Sequence, residues 1–175
     1  MPRWCPRRST TPRGPGSVLE VARILIGVVT ASSAAEAIDA LVMPGRAFAC
    51  RVAEDELMVL SAPQVRDEVE RAVATRVAAL DPDALVVDAT DGWSAITVAG
   101  DDARASFGLL SRLELPDLGF LQGEIVHVPA KVVAGDDHLL ILAPSMYEAH
   151  LHDRVTKALG SAEPIETRPW TVPIR

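Results

Sequence analysis

Asp137-His-Leu-Leu-Ile-Leu-Ala-Pro-Ser145 is an acidic turn residue, an unbroken aliphatic run and a proline. A run of this length without alternation reads as a strand buried on both faces. It has a counterpart upstream in Asp55-Glu-Leu-Met-Val-Leu-Ser-Ala-Pro63. A helical pattern follows each. After the first, Val65, Val69, Val73, Val77 and Leu80 recur at helix spacing. After the second, Tyr147, Leu151, Val155 and Leu159 do the same, and Ser145 with Glu148 spells a capping box.

The correspondence continues outward. Ile24 to Val29 reads as a strand, and Ser33 with Glu36 as a capping box opening a helix that carries Ile38, Leu41 and Val42. Met43-Pro-Gly45 stops that helix, Phe48 to Val52 is a strand, and Glu54-Asp55 its hairpin turn. In the second half Trp93 to Ala99 is a strand, and Gly100-Asp-Asp102 starts a helix with Ala103, Phe107 and Leu110. Ile125 to Val133 is a strand, and Gly135-Asp-Asp137 a hairpin signal. Leu85 to Asp88 adds a strand between the halves. Each half thus spells strand, helix, strand, hairpin strand, helix. The expected fold is α+β, with duplicated ferredoxin-like β-α-β-β-α halves, largely antiparallel sheets, and a pseudo-twofold axis placing any ligand at their junction.

The expected organisation is a basic arm at 1–17, one α+β domain at 18–160 with halves at about 18–80 and 84–160, and an extended arm at 161–175 carrying Trp170. The first sixteen residues hold four arginines, four prolines and no acid, and lack any apolar period. Three readings fit them: a disordered tail or mis-assigned start, a nucleic-acid arm, and a signal peptide with Ile24 to Val29 as its apolar region. Glu20 and Arg23 interrupt that region where it should begin. Removing the four arginines from 17 basic residues leaves 13 against 24 acids. That balance disfavours nucleic acid and anionic membrane. No run approaches the ~18 apolar residues of a membrane span, and a cytoplasmic location is expected.

Composition narrows the chemistry. Three Trp, three Phe and one Tyr are too few for a stacking platform. Two cysteines make neither a disulfide framework nor a four-thiolate zinc site. The chain lacks a Gly-rich phosphate loop and a Gly-x-Ser-x-Gly elbow. His150 and His152, two apart on a helix, diverge too far to share a metal. His127 reads as a half-buried, hydrogen-bonded strand residue, and Cys50 as a buried, inert thiol. Asp88 and Asp91 read as turn caps rather than an acid/base pair. No catalytic residue and no metal ligand is assigned, which points to a binding or assembly domain.

From Gly45 to Val155 ordered pieces carry a resemblance: Ala53-Glu-Asp-Glu-Leu-Met-Val-Leu60, Val87-Asp-Ala-Thr-Asp-Gly-Trp93 and Ala95-Ile-Thr-Val-Ala-Gly-Asp-Asp-Ala-Arg104. Phe120-Leu-Gln-Gly123, His127-Val-Pro-Ala-Lys-Val-Val133 and Leu139-Leu-Ile-Leu-Ala-Pro-Ser-Met-Tyr147 continue it. Together they resemble the gamma subunit of heterotetrameric sarcosine oxidase and, more distantly, the folate-binding domain of glycine-cleavage aminomethyltransferases. The resemblance implies an accessory subunit that binds no cofactor alone, docked on larger flavoprotein subunits that hold FAD, FMN and NAD. Such a complex demethylates sarcosine oxidatively and passes the carbon to tetrahydrofolate. Two alternatives stay open: a stand-alone folate-binding protein or aminomethyltransferase-like enzyme, and a structural domain without ligand. Under the folate alternative, cations for the ligand's carboxylates would come from Arg104, Arg112 and Lys131.

Overall fold

The computed structural model describes residues 19–43, 47–117 and 119–160, and the backbone of 168–169. The basic arm and Trp170 lie outside the described residues. The strands are β1 (Glu20–Leu25), β2 (Gly27–Ser32), β3 (Ala47–Ala53), β4 (Glu56–Ser61), β5 (Leu85–Asp88), β6 (Trp93–Ala99), β7 (Gly119–Ile125), β8 (Val128–Ala134), β9 (His138–Pro144) and β10 (Arg168–Pro169). The helices are α1 (Ala35–Ala40), α2 (Arg66–Leu80), α3 (Ala103–Ser106) and α4 (Glu148–Leu159). One sheet has the order β3-β4-β2-β5, the other β10-β1-β6-β9-β8-β7. Every pairing is antiparallel except β1 with β10. No described helix is long and apolar enough to cross a membrane.

The two sheets pack face to face, with helices on both outer faces. The two aliphatic runs read from sequence are β4 and β9, each buried on both sides. Leu57 and Val59 of β4 face α2, meeting Val69, Val73 and Val77, while Met58 and Leu60 face the other sheet. In β9, Leu139 and Ile141 face α4, meeting Leu151, Val155 and Leu159. Leu140 and Leu142 turn the opposite way, into the inter-sheet layer with Val28 and Met58. Side chains alternate across a strand, so a continuous run is required when both faces are covered. Burying each such side chain stabilises the fold by about 1.5–3 kcal/mol. β2 sits beside β4, and β6 beside β9, so these elements occupy equivalent places in their sheets.

Four sequence expectations change. Ile24 to Val29 is not one strand: β1 and β2 belong to different sheets, and the chain crosses between them at Ile26. The apolar run persists because Ile24, Ile26 and Val28 all pack in the inter-sheet layer. Gly27 belongs at this crossing, since a Cβ there would lie 2.7 Å from Ser61 Oγ and 2.9 Å from Arg66 Cβ. Ile125 to Val133 is likewise two strands, β7 and β8, turning at Val126 (φ 46°) and His127 (φ 68°). Two consecutive left-handed residues form a tight hairpin normally signalled by Asn-Gly, a signal that Val-His lacks.

The capping boxes do not form either. No side chain caps α1, and Ser33 Oγ donates to Asp81 Oδ2 instead, at 2.7 Å. Ser145 begins a 3-10 turn ahead of α4, which also lacks a side-chain cap at its start. Finally, the helix expected after Gly100 is one turn, Ala103–Ser106, continued by a 3-10 turn. It still buries Ala103, Phe107 and Leu110 as the pattern required.

Candidate functional site

Two concavities flank the β7–β8 hairpin. The smaller, about 400 Å³, opens at the edge of the inter-sheet layer. Cross-strand register puts Trp93 opposite Pro144, and Lys131 opposite both Gln122 and Leu142. All five therefore share the face that looks toward the four-stranded sheet. Lys131 Nζ lies 5.2 Å from the centroid of the Trp93 ring, a cation–π distance. It also donates to Gln122 Oε1 at 3.3 Å, and Gln122 Nε2 donates to Val52 O at 3.0 Å. Gln122 thus ties the edge of one sheet to β3 of the other. Cys50, fully buried in the inter-sheet layer, has its thiol pushed up to about 12 by desolvation, an effect that the Lys131 charge partly opposes.

The larger concavity, about 830 Å³, lies between the loop after α3, the β7–β8 turn and the second half of α4. Its walls include Leu109, Leu113 and Val126; its charged residues include Arg112, Arg154 and Lys157. Leu113 is held down by the lack of a side chain at Gly123, where a Cβ would approach Leu113 Cδ1 to 2.4 Å.

The three cations anticipated for carboxylate binding are not brought together. Arg112 lines the larger cavity and Lys131 the smaller. Arg104 lines neither. Its Nη1 donates to Gly135 O at 2.8 Å and its Nη2 to Pro116 O at 2.7 Å. It fastens α3 to the β8–β9 turn and to the loop before β7.

Two of the other polar candidates, His127 and Asp88, have polar partners. His127 sits in the hairpin turn rather than within a strand, and its side chain is 78% exposed rather than half-buried. Its Nδ1 lies 3.1 Å from Glu124 Oε1. Asp88 Oδ1 accepts the Thr90 amide at 3.0 Å, the capping geometry expected of it. The Thr90 hydroxyl and amide hold the Asp88 carboxyl below the usual carboxylate range, helped by Arg66. Among the described residues no group of three or more His, Cys, Asp or Glu side chains is placed to hold a metal ion. Sequence reasoning missed Trp93 as a neighbour of Lys131. The β6–β9 and β8–β9 registers together reveal it, because they set Trp93 and Lys131 on either side of the end of β9.

No protein-family model matches the chain, and no curated protein matches it in sequence. Solved structures do. A chain of the heterotetrameric sarcosine oxidase from Corynebacterium sp. U-96, in complex with pyrrole 2-carboxylate, aligns with a TM-score of 0.64 at 12% identity. The alignment covers 85% of this chain and 88% of that one. The glycine cleavage system aminomethyltransferase T from Bartonella henselae aligns with a TM-score of 0.60 at 13% identity. It covers 86% of this chain and 48% of that protein, so this chain spans about half the aminomethyltransferase. At such identities the likeness speaks for architecture: an α+β chain with two antiparallel sheets, of the aminomethyltransferase-like folate-binding-domain fold.

Proposed function

We propose that the chain is a non-catalytic, gamma-type subunit of a heterotetrameric sarcosine-oxidase-like complex. That complex would demethylate sarcosine or a related N-methyl amino acid oxidatively, with tetrahydrofolate taking the carbon. The observation carrying this reading is the near-reciprocal coverage of the sarcosine oxidase match, 85% and 88%. Alignment along almost the whole length of a chain of similar size is what a counterpart of that subunit would give, and it supports the reading. The aminomethyltransferase match, which leaves half of that protein uncovered, fits less well as a whole-protein counterpart. FAD, FMN and NAD belong to the larger partners on this reading, and the two similar sheets descend from a duplicated half. Co-expression with candidate large flavoprotein subunits tests it. The expected result is a stoichiometric complex, and an isolated chain without flavin absorbance. An isolated chain that binds flavin and oxidises sarcosine would overturn the reading.

A second reading, a folate-binding protein acting alone, is favoured by Lys131 at the mouth of the inter-sheet cavity beside Trp93. Aromatic and cationic groups together suit a ring-bearing carboxylate. Calorimetry of the isolated chain with tetrahydrofolate separates the two readings. Micromolar binding, abolished by Lys131→Ala, supports the second.

A further inference from the structure

We propose that the larger cavity binds a small organic anion, a carboxylate or phosphate carried on a short apolar body. The proposal is independent of the subunit reading. It starts from the fate of the cations in a chain whose formal net charge is −7. Arg23, Arg51 and Arg66 pair with carboxylates. Arg71, Arg76 and Arg104 donate to backbone carbonyls. Lys131 is taken up by Gln122 and Trp93, and Lys157 lies 3.5 Å from Asp153. Among the described arginine and lysine side chains this leaves Arg112 and Arg154 without a hydrogen-bond, ion-pair or ring partner. Both line the same cavity.

The apolar half of the argument is equally local. Leu109 is 56% exposed and Leu113 39% exposed, and both belong to that same wall. The nearby carboxylates already have partners: Glu124 has His127, and Asp153 has Lys157. A cavity of about 830 Å³ falls in the range of small-molecule sites. Two uncommitted guanidinium groups beside exposed leucines match a ligand with one anionic end and one apolar end. Guanidinium suits carboxylate and phosphate because its planar fork can give two parallel hydrogen bonds. The acidic chain repels anions at long range, so recognition must come from these short-range donors.

Octanoate and hexyl phosphate are the probes, titrated into the ¹⁵N-labelled full chain and followed by NMR. The expected result is saturable binding of at least one probe. Its shifts should be confined to residues 108–113, 126–127 and 154–158. Arg112→Glu and Arg154→Glu, both at exposed positions, should each weaken that binding at least tenfold. Arg71→Glu, on α2, should leave it unchanged. Circular dichroism of each variant reports whether folding is retained. Absence of shifts with both probes at millimolar concentration would overturn the proposal, as would shifts elsewhere or shifts that survive both charge reversals.

Discussion

The Ser33 hydroxyl donates to Asp81 Oδ2 at 2.7 Å, joining the entry of α1 to the exit of α2. The same oxygen accepts the Ala34 amide at 2.9 Å, while Asp81 Oδ1 accepts the Asp83 amide at 3.0 Å. One carboxylate thus satisfies free donors of two segments that are 47 residues apart. These donors, the Ala34 amide foremost, hold the Asp81 carboxyl below its ordinary value.

That shift fixes the direction of an acid effect. A carboxyl whose value is lower in the folded chain adds stability above its unfolded value, near pH 4. The contribution is lost as pH falls through the folded value. Asp88 and Asp137 are shifted the same way, by Thr90 and His138 respectively. Thermal midpoints should therefore be level from about pH 7 to about pH 5 and fall towards about pH 3. Asp81→Ala should lower the midpoint at neutral pH and shrink the acid-induced fall. A variant that keeps the full fall would show that the Asp81 network is not its source.

Arg104 offers a test that separates structure from binding. Its two carbonyl partners are left without donors in Arg104→Ala, and the group is only partly exposed. Each of these part-buried hydrogen bonds contributes about 1 kcal/mol net, so urea unfolding should show a loss of about 2 kcal/mol. Affinity for tetrahydrofolate or octanoate should not change in the fraction that stays folded. A variant of native stability with weakened ligand binding would return Arg104 to the ligand set.

The β7–β8 turn stores strain that one substitution can release. His127 has φ 68°, a conformation that L residues with a Cβ adopt at some cost. Its contact with Glu124 is highly exposed, and such contacts contribute little. His127→Gly should stabilise the chain by about 1 kcal/mol, read as a rise in the urea midpoint at unchanged slope. A fall in the midpoint would mean that the Glu124 contact outweighs the backbone strain.

The sheets were legible in the sequence wherever an element is buried on both faces. Leu57 to Leu60 and Leu139 to Leu142 are continuous because they must be, and α2 and α4 show their buried valines and leucines at helix spacing. Periodicity failed where the chain changes partner without changing hydrophobicity. Ile26 is apolar in either sheet, so hydrophobicity does not mark the crossing, and Gly27 is the one residue of Ile24 to Val29 that does. Val126-His127 turns without turn chemistry. Ser33 looked like a local cap because its chosen acceptor, Asp81, lies 48 residues away. The same limit applies to the cavities. That Arg104 is occupied while Arg112 is unpartnered depends on where Gly135 and Pro116 carbonyls fall, which spacing along the chain does not encode.

Cys50 gives the remaining prediction, a probe of the inter-sheet layer itself. The side chain is fully buried between β3 and the opposing sheet, and its thiol is raised to about 12. At about pH 8 only about one thiol in ten thousand would be ionised even if a reagent could reach it. Because Cys5 lies outside the described residues, the measurement is made in a Cys5→Ser background. Iodoacetamide should leave the native chain unlabelled over hours and modify one thiol in urea. Its rate across a urea series should follow the equilibrium population of unfolded chain. Leu142→Ala, which opens a cavity in the same layer at a cost of about 2–5 kcal/mol, should raise the native labelling rate by the same factor as it raises that population. Labelling within minutes under native conditions would show that the two sheets separate without global unfolding.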